Sequence, residues 1–167
     1  DWEGTLTATI AAFGKVDILC NIAGTAEASS LVDVTETQFD NMIAINLKGV
    51  LFGMKTVIPE MKKNGGGKIV NVASLGGHVG IIGLPHYVAS KGGVLALTRE
   101  AAAEFATDNI NVNSISPGMI MTPLQSANTP EMLEQQASTI PMKRLGDPIE
   151  VAYSILWLSS DEASYIT

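Results

Sequence analysis

Three short apolar runs, separated by much longer helical patterns, constrain the fold of this chain most. The runs are 16–21, 68–74 and 110–116. Their apolar residues are nearly continuous, which is typical of strands that are buried on both faces. Strands that alternate with helices predict an α/β fold with a parallel sheet, helices on both faces and right-handed crossovers. The carboxyl ends of the three runs are then expected to share one edge of the sheet.

Helix start and stop signals divide the rest of the chain. Gly14 is a stop signal for a first helix. The segment 35–38, Thr-Glu-Thr-Gln, has the form of a capping box. Pro59 is expected to kink the helix that the capping box opens, and Trp157 is expected to pack in the core. The predicted helices cover about 2–13, 35–63, 87–107, 130–138 and 148–158.

Composition excludes several classes of protein. The 167 residues include 10 basic and 17 acidic side chains, a formal charge of −7, which argues against a nucleic-acid-binding surface. No apolar run approaches the ~18 residues of a membrane span, and no secretory signal is visible, so we expect a cytoplasmic protein without a membrane segment. Cys20, the single cysteine, is expected to be buried. No Cys/His cluster has metal-ligand spacing, and no metal site is predicted.

Three polar side chains carry a possible chemistry. Ser74 closes the second apolar run, at the edge where open parallel sheets bind ligands. Tyr87 and Lys91 are four apart and lie on one face of a helix. A nearby ammonium lowers the pKa of a phenol, which then exchanges a proton with an alcohol or carbonyl oxygen. The alternative, an exposed tyrosine beside an unrelated surface lysine, stays open on these residues alone.

Other polar or glycine-rich features have simpler interpretations. The triplet 65–67 follows a helix and precedes a strand, so it is interpreted as a turn instead of a phosphate loop. The glycines between 76 and 83 do not fit G-x-G-x-x-G. His78 and His86 have no carboxylate at a spacing that would orient them and are interpreted as loop residues. Asn46 is mildly unfavourable inside a helix and is interpreted as a solvated or bend residue.

The segment 74–105, SLGGHVGIIGLPHYVASKGGVLALTREAAAEF, resembles the active-site segment of the short-chain dehydrogenase/reductase family. The step from Ser74 to Tyr87, followed by Y-V-A-S-K, carries the resemblance. It implies that Tyr87 is the catalytic acid/base and that Ser74 orients the substrate oxygen. Lys91 then lowers the pKa of Tyr87 and hydrogen-bonds the nicotinamide ribose. Asn46, in I-N-L-K-G, would sit at a helix distortion, hold a water that joins Lys91 to solvent, and complete a catalytic tetrad.

The resemblance extends to segments on either side. Residues 17–24 are similar to the family's D-x-L-x-N-N-A-G, with Ile22 where asparagine is usual, and 113–122 resembles the segment that packs on the nicotinamide. A Rossmann-like, doubly wound fold follows, with NAD or NADP as cofactor and hydride transfer to or from an alcohol or ketone. The residues that the resemblance places at the cofactor are Asn21, Ala23, Gly24, Tyr87, Lys91, Pro117, Gly118, Ile120 and Thr122.

The family pattern also has parts that this sequence does not show. They are a first strand, the T-G-x-x-x-G-x-G loop, the residue that selects NAD or NADP, and a last strand. We therefore expect 1–167 to be a single Rossmann-like domain, truncated at both ends. A non-catalytic binding or assembly protein on the same scaffold, and an epimerase or dehydratase, are the alternatives.

Apolar segments suggest the substrate and the partners. Loops 75–86 and 118–130 are apolar, which favours a weakly polar alcohol or ketone. Helices 38–63 and 87–107 are more hydrophobic than the surface of a monomer favours. The matching helices of the family pair between subunits, and we expect a homodimer or homotetramer.

Overall fold

The structure is a computed structural model that describes residues 1–125 and 128–167. Within them the chain forms three strands and six α-helices, with a π-helical turn between the second and third helices. The elements in chain order are α1 Trp2–Phe13, β1 Ile18–Asn21, α2 Glu36–Ile43, the π turn Ala44–Lys48, α3 Gly49–Lys63, β2 Gly67–Val72, α4 Pro85–Phe105, β3 Ile110–Ile115, α5 Pro130–Thr139 and α6 Pro148–Leu158.

The three strands form one parallel sheet in the order β1-β2-β3. In its register Cys20 lies opposite Val70, and Val70 lies opposite Asn113. The predicted parallel sheet is confirmed. The predicted strands and the observed ones differ by at most two residues at either end, the usual uncertainty of an element boundary.

Helices cover both faces of the sheet. Ile69 lies in a buried cluster with side chains of α3 and α4, whereas the next residue, Val70, packs with Leu158 and Ala163 on the other side. Successive residues of a strand point to opposite faces, so these two neighbours report on the two layers. The doubly wound, Rossmann-like architecture predicted from the sequence is confirmed.

The predicted helix caps are present. Gly14 ends α1 with a left-handed φ of 81°, and its N–H donates to the Ile10 carbonyl at 2.8 Å. At the start of α2 the Gln38 N–H donates to Thr35 Oγ1 at 3.2 Å, and the Thr35 N–H donates to Gln38 Oε1 at 3.0 Å. Pro59 lies inside α3, which continues to its end at Lys63.

Two expectations about buried side chains need correction. Trp157 does not pack in the core: it is 44% exposed. Ile155 and Leu158 take the positions of α6 that face the sheet, and at about 100° per residue a side chain two positions after Ile155 points away from it. Cys20 is half-buried instead of fully buried. Burial nevertheless raises the pKa of its thiol.

The helical run Glu36–Lys63 combines α2, the π turn and α3. Within the described part of the chain, it has the length and apolar composition that a membrane crossing requires. Its buried face, which includes Val50, Met54 and Val57, belongs to the core against the sheet. A core helix of a globular protein shows the same features. The absence of a membrane segment stays a prediction.

Candidate active site

The carboxyl ends of the strands border a cavity of about 360 Å³. The segments that follow β1, β2 and β3 each contribute to its wall, as expected for a parallel sheet. Four residues of α6 complete the wall, and sequence reasoning did not find them: Pro148, Val151, Ala152 and Ile155. Eight residues predicted for the site line the cavity: Gly24, Ser74, Tyr87, Lys91, Pro117, Gly118, Ile120 and Thr122.

Lys91 is a buried cation one helical turn after Tyr87. Lys91 is 5% exposed. Its Nζ donates to the Val72 carbonyl at 2.8 Å and lies 5.9 Å from the centre of the Tyr87 ring. Burial lowers the pKa of Lys91 to about 8, because removal from water disfavours the charged form. The alternative of an unrelated surface lysine is therefore wrong.

Ser74 and Tyr87 meet at Gly76. A Cβ added to Gly76 would lie 3.5 Å from Ser74 Oγ, 3.4 Å from Tyr87 Cε1 and 2.8 Å from Ile81 Cδ1. The Gly76 N–H donates to Ser74 Oγ at 3.1 Å, which orients the hydroxyl oxygen while its O–H can still donate. Gly76 therefore borders both the serine hydroxyl and the tyrosine ring, and a side chain at this position would collide with Ile81 first.

Asn46 lies in the π turn and is completely buried. Its Nδ2 donates to the Thr25 carbonyl at 2.9 Å and to Ser90 Oγ at 3.1 Å, and its Oδ1 accepts the Thr25 N–H at 2.8 Å. The interpretation as a solvated residue is wrong, whereas a helix irregularity is present here. Asn46 does not line the cavity but holds Thr25, which does.

His86 is not a loop residue. It lies in the first turn of α4, is 1% exposed, and neither ring nitrogen has a hydrogen-bond partner among the described residues. His78 does follow the loop interpretation, and its Nε2 lies 2.9 Å from Ser116 Oγ. A histidine immediately before a predicted helix cannot be placed by pattern alone, because helix starts are uncertain by a residue or two.

The comparison with protein families decides the classification. A family model described as enoyl-(acyl carrier protein) reductase matches residues 1–167. The chain belongs to the short-chain dehydrogenase/reductase family. The resemblance predicted from the sequence is confirmed.

Curated members of this family are similar over most of the chain. A 2,5-dichloro-2,5-cyclohexadiene-1,4-diol dehydrogenase of Sphingobium indicum is 39% identical over 166 residues, 99% of this chain and 66% of that protein. A 3-oxoacyl-(acyl-carrier-protein) reductase of Thermotoga maritima is 43% identical over 155 residues, 93% of this chain and 63% of that protein. The chain thus spans just under two thirds of the length of these relatives.

Solved structures of short-chain dehydrogenase/reductase relatives superpose closely. Levodione reductase gives a TM-score of 0.95 at 35% identity, over 99% of this chain and 68% of that one. The structure of ElxO with NADP bound gives a TM-score of 0.93 at 32% identity, with the same coverage of 99% and 68%. Both support the doubly wound fold assigned above.

Two positions that the family pattern placed at the cofactor lie away from the cavity wall. Asn21 is buried, and its Nδ2 donates to Asn71 Oδ1 at 2.8 Å on the neighbouring strand. Ala23 is exposed and does not line the cavity. Asn71 in turn donates to Thr98 Oγ1 at 3.0 Å. Sequence reasoning missed this polar link, although an asparagine in the middle of an apolar strand was its visible signal.

Proposed function

We propose that the intact protein is an NAD(P)-dependent oxidoreductase that transfers a hydride between a nicotinamide cofactor and an alcohol or carbonyl substrate. The observation that carries this proposal is the convergence of Ser74, Tyr87 and Lys91 on one cavity at the strand ends. The relatives named as dehydrogenases and reductases support it. Residues 1–167 form a single Rossmann-like domain in this proposal.

The cavity fits the ribose and nicotinamide of such a cofactor. A lysine ammonium has three donors, and Lys91 uses one of them on the Val72 carbonyl, so ribose hydroxyl groups can accept the others. A Cβ added to Gly24 would lie 3.4 Å from both Asn46 Oδ1 and Lys91 Nζ. The glycine therefore lets the backbone after β1 lie close to the lysine ammonium. Gly118 has open space where a Cβ would lie, which allows a planar ring to approach the backbone.

Proton transfer belongs to the protein side chains. Lys91, whose pKa is about 8, is charged at neutral pH, and its ammonium lies 5.9 Å from the centre of the Tyr87 ring. In the reducing direction Ser74 donates a hydrogen bond to the carbonyl oxygen, and Tyr87 gives that oxygen its proton. When bound, a reduced nicotinamide would supply the hydride that the carbonyl carbon accepts. Asn46 is proposed to support proton transfer as the fourth member of the tetrad, because it fixes the loop at Thr25.

The proposed cofactor is NAD or NADP, as in the relative solved with NADP bound. Ile120 and Thr122 line the cavity beside Pro117 and Gly118 and are proposed to contact the carboxamide end. Asn21 and Ala23 do not line the cavity and are proposed to support the residues that contact the cofactor. No residue that selects between the two nucleotides is proposed.

The proposed substrate is a neutral alcohol or ketone. Lys91 is the one cation among the described lining residues, which include no carboxylate. A phosphate, sulfonate or carboxylate on the substrate would therefore lack a cation of its own, at a cost that burial increases. Leu124, Val151 and Ile155 line the cavity and offer apolar contacts. One relative is named for a chlorinated cyclohexadiene diol, a neutral ring alcohol.

The proposed assembly is a homodimer or homotetramer in the cytoplasm, without nucleic-acid or membrane partners. Large apolar side chains on the outer side of the 36–63 run support self-association, because exposed apolar area favours an interface. They are Phe39, Ile45, Leu51 and Phe52, each at least 41% exposed. Light scattering at micromolar concentration is the test, and a monomer would contradict this assignment.

Replacement of Tyr87 by phenylalanine tests the catalytic proposal. We expect Tyr87→Phe to lower turnover by about 100-fold or more, with nucleotide affinity in calorimetry unchanged, since only the phenol O–H is removed. Tyr153→Phe is the matched control, because Tyr153 lies on the exposed side of α6. Retention of more than about a tenth of the wild-type turnover would contradict the acid/base role. Titration with NADH and with NADPH identifies the cofactor.

A further inference from the structure

A short bridge joins the cavity wall to the start of α6. The Met121 N–H donates to the Gly146 carbonyl at 2.9 Å, and the Gly146 N–H donates to the Met119 carbonyl at 2.9 Å. The residue between the two methionines, Ile120, is the parallel bridge partner of Gly146 and lines the cavity. We call these contacts the Gly146 bridge. They fix the backbone at a position proposed to contact the cofactor.

An arginine fork holds the residues on either side of Gly146. Arg144 Nη1 donates to Glu150 Oε2 at 2.7 Å, and Nη2 donates to Glu150 Oε1 at 2.6 Å. Glu150 Oε2 also accepts the Asp147 N–H at 2.7 Å. Glu150 therefore connects Arg144, two residues before Gly146, with Asp147, the residue after Gly146. Because Asp147 caps α6, the fork ties the bridge to the helix that forms another wall of the cavity.

Gly146 leaves no spare room at the bridge. A Cβ added to it would lie 2.6 Å from Ile120 Cδ1, closer than real Cβ contacts allow. Ile120 is thus confined between Gly146 and the cavity. A displacement of either the bridge or α6 would change the position of the Ile120 side chain in the cavity wall.

We infer that Arg144 is a positioning residue, whose fork to Glu150 holds the Gly146 bridge and thereby fixes Ile120 in the wall of the cofactor cavity. The bidentate geometry matters, because exposed ion pairs contribute little unless their geometry is ideal. A lysine cannot reproduce a planar fork. The inference rests on the proposed function for the identity of the ligand in the cavity, but not for the bridge itself.

The fork is expected to persist across the working pH range. The Arg144 guanidinium and, to a smaller extent, the Asp147 N–H lower the pKa of the Glu150 carboxyl to about 2. A lowered carboxyl pKa means that the contribution of the fork to stability is complete above the ordinary value of 4.5 and is lost only as the pH falls towards 2. The Arg144–Glu150 ion pair therefore stays charged on both sides at neutral pH and does not respond to pH changes there.

Amide hydrogen exchange in the intact protein tests the bridge without any cofactor. We expect Arg144→Ala to speed exchange at Met121 and Gly146 by about fivefold, which corresponds to the upper range for an exposed ion pair. Lys15→Ala is the matched control, since it removes the exposed Lys15–Asp17 pair at 2.6 Å, remote in sequence from the bridge. Unchanged exchange at both amides in Arg144→Ala would overturn the inference.

Nucleotide affinity in the same variants tests the positioning role. We expect Arg144→Ala to raise the Kd of the preferred nucleotide by about fivefold, with a smaller loss in Arg144→Lys and none in Lys15→Ala. Gly146→Ala should raise the Kd too, because its Cβ displaces the end of the Ile120 side chain. Faster exchange with unchanged affinity would overturn the positioning role. A wild-type protein that binds neither nucleotide would contradict the proposed function, and amide exchange would still decide the fork.

Discussion

Asn46 and Thr25 are joined at two points: the asparagine side chain donates to the Thr25 carbonyl at 2.9 Å and accepts the Thr25 N–H at 2.8 Å. The π turn of the long helix is thereby fixed to the loop that follows β1. Gly24 lies next to this link, with both Asn46 Oδ1 and Lys91 Nζ 3.4 Å from the position of an added Cβ. The link thus sets the distance between the loop and the buried ammonium.

Removal of this link should affect stability and binding together. We expect Asn46→Ala to lower the free energy of unfolding by about 1–3 kcal/mol, because it leaves part-buried backbone groups of Thr25 and the buried Ser90 hydroxyl without this partner. Nucleotide affinity should fall as well. Asn46→Asp should be intermediate, since a carboxylate accepts the Thr25 N–H but does not donate to its carbonyl. Urea unfolding and calorimetry measure both quantities.

The control for this pair is Asn64→Ala, which removes an exposed contact to Glu60. Its effect on unfolding should stay within about 0.5 kcal/mol. An Asn46→Ala variant as stable as Asn64→Ala would show that the two-point link has no structural role.

The buried charge of Lys91 predicts a pH-dependent stability difference. Its pKa is about 8 in the folded protein against an ordinary value of 10.5. Between these values the unfolded chain binds a proton that the folded protein has lost, so the stability of the wild type rises with pH relative to Lys91→Met. Unfolding by urea at pH 7.5 and at pH 10 measures the difference between the two proteins. Lys55→Met, at an exposed lysine, serves as control, and an equal change for both variants would disprove the effect of burial.

The asparagine link between the strands predicts a second stability effect. Asn71 accepts from Asn21 and donates to Thr98 in the buried layer. We expect Asn71→Ala to cost about 1–3 kcal/mol of unfolding free energy for each polar group that it leaves unpaired. A double-mutant cycle with Asn21→Ala should give a coupling of about 0.5–3 kcal/mol. Additive effects of the two substitutions would argue that the observed hydrogen bond contributes nothing.

Gly76 predicts an effect on activity that exceeds its effect on stability. The Cβ of Gly76→Ala would push away the end of the Ile81 side chain, 2.8 Å distant, and would touch both Ser74 Oγ and the Tyr87 ring. Because a small misplacement of reacting groups is costly, we expect turnover to fall about tenfold or more. Gly80→Ala lies in the same loop with open space around its Cβ and should leave turnover unchanged. Similar turnover of the two variants would contradict the proposed geometry.

The strand positions and the helix caps could be predicted because their causes are local. A buried parallel strand shows as a continuous apolar run, and the capping box of Thr35 and Gln38 needs only four residues. The Tyr87–Lys91 spacing could be interpreted in two ways. The structure decided between them by the burial of Lys91, a property that depends on residues far along the chain.

The features that sequence reasoning missed depend on tertiary contacts. Trp157 is apolar enough for a core position, yet the orientation of α6 places Ile155 and Leu158 there. The Gly146 bridge pairs segments about 26 residues apart through a single contact, which produces no periodicity that a pattern could reveal. His86 is helical instead of part of a loop because α4 begins at Pro85, before the predicted start.

The π turn of Ala44–Lys48 makes the length of the long helix consequential for evolution and engineering. Such a turn accommodates one residue more than a regular α-helical turn, and each residue rotates a helix by about 100°. α2 before the turn packs against α4, whereas α3 after it packs against the sheet and α1. A single-residue deletion within the turn would restore regular α-helical geometry with both halves still facing these neighbours, but it would displace Asn46 from Thr25. Selection for the extra residue should therefore act through the position of Asn46, since the deletion would improve the local hydrogen bonds and keep the packing of both helices.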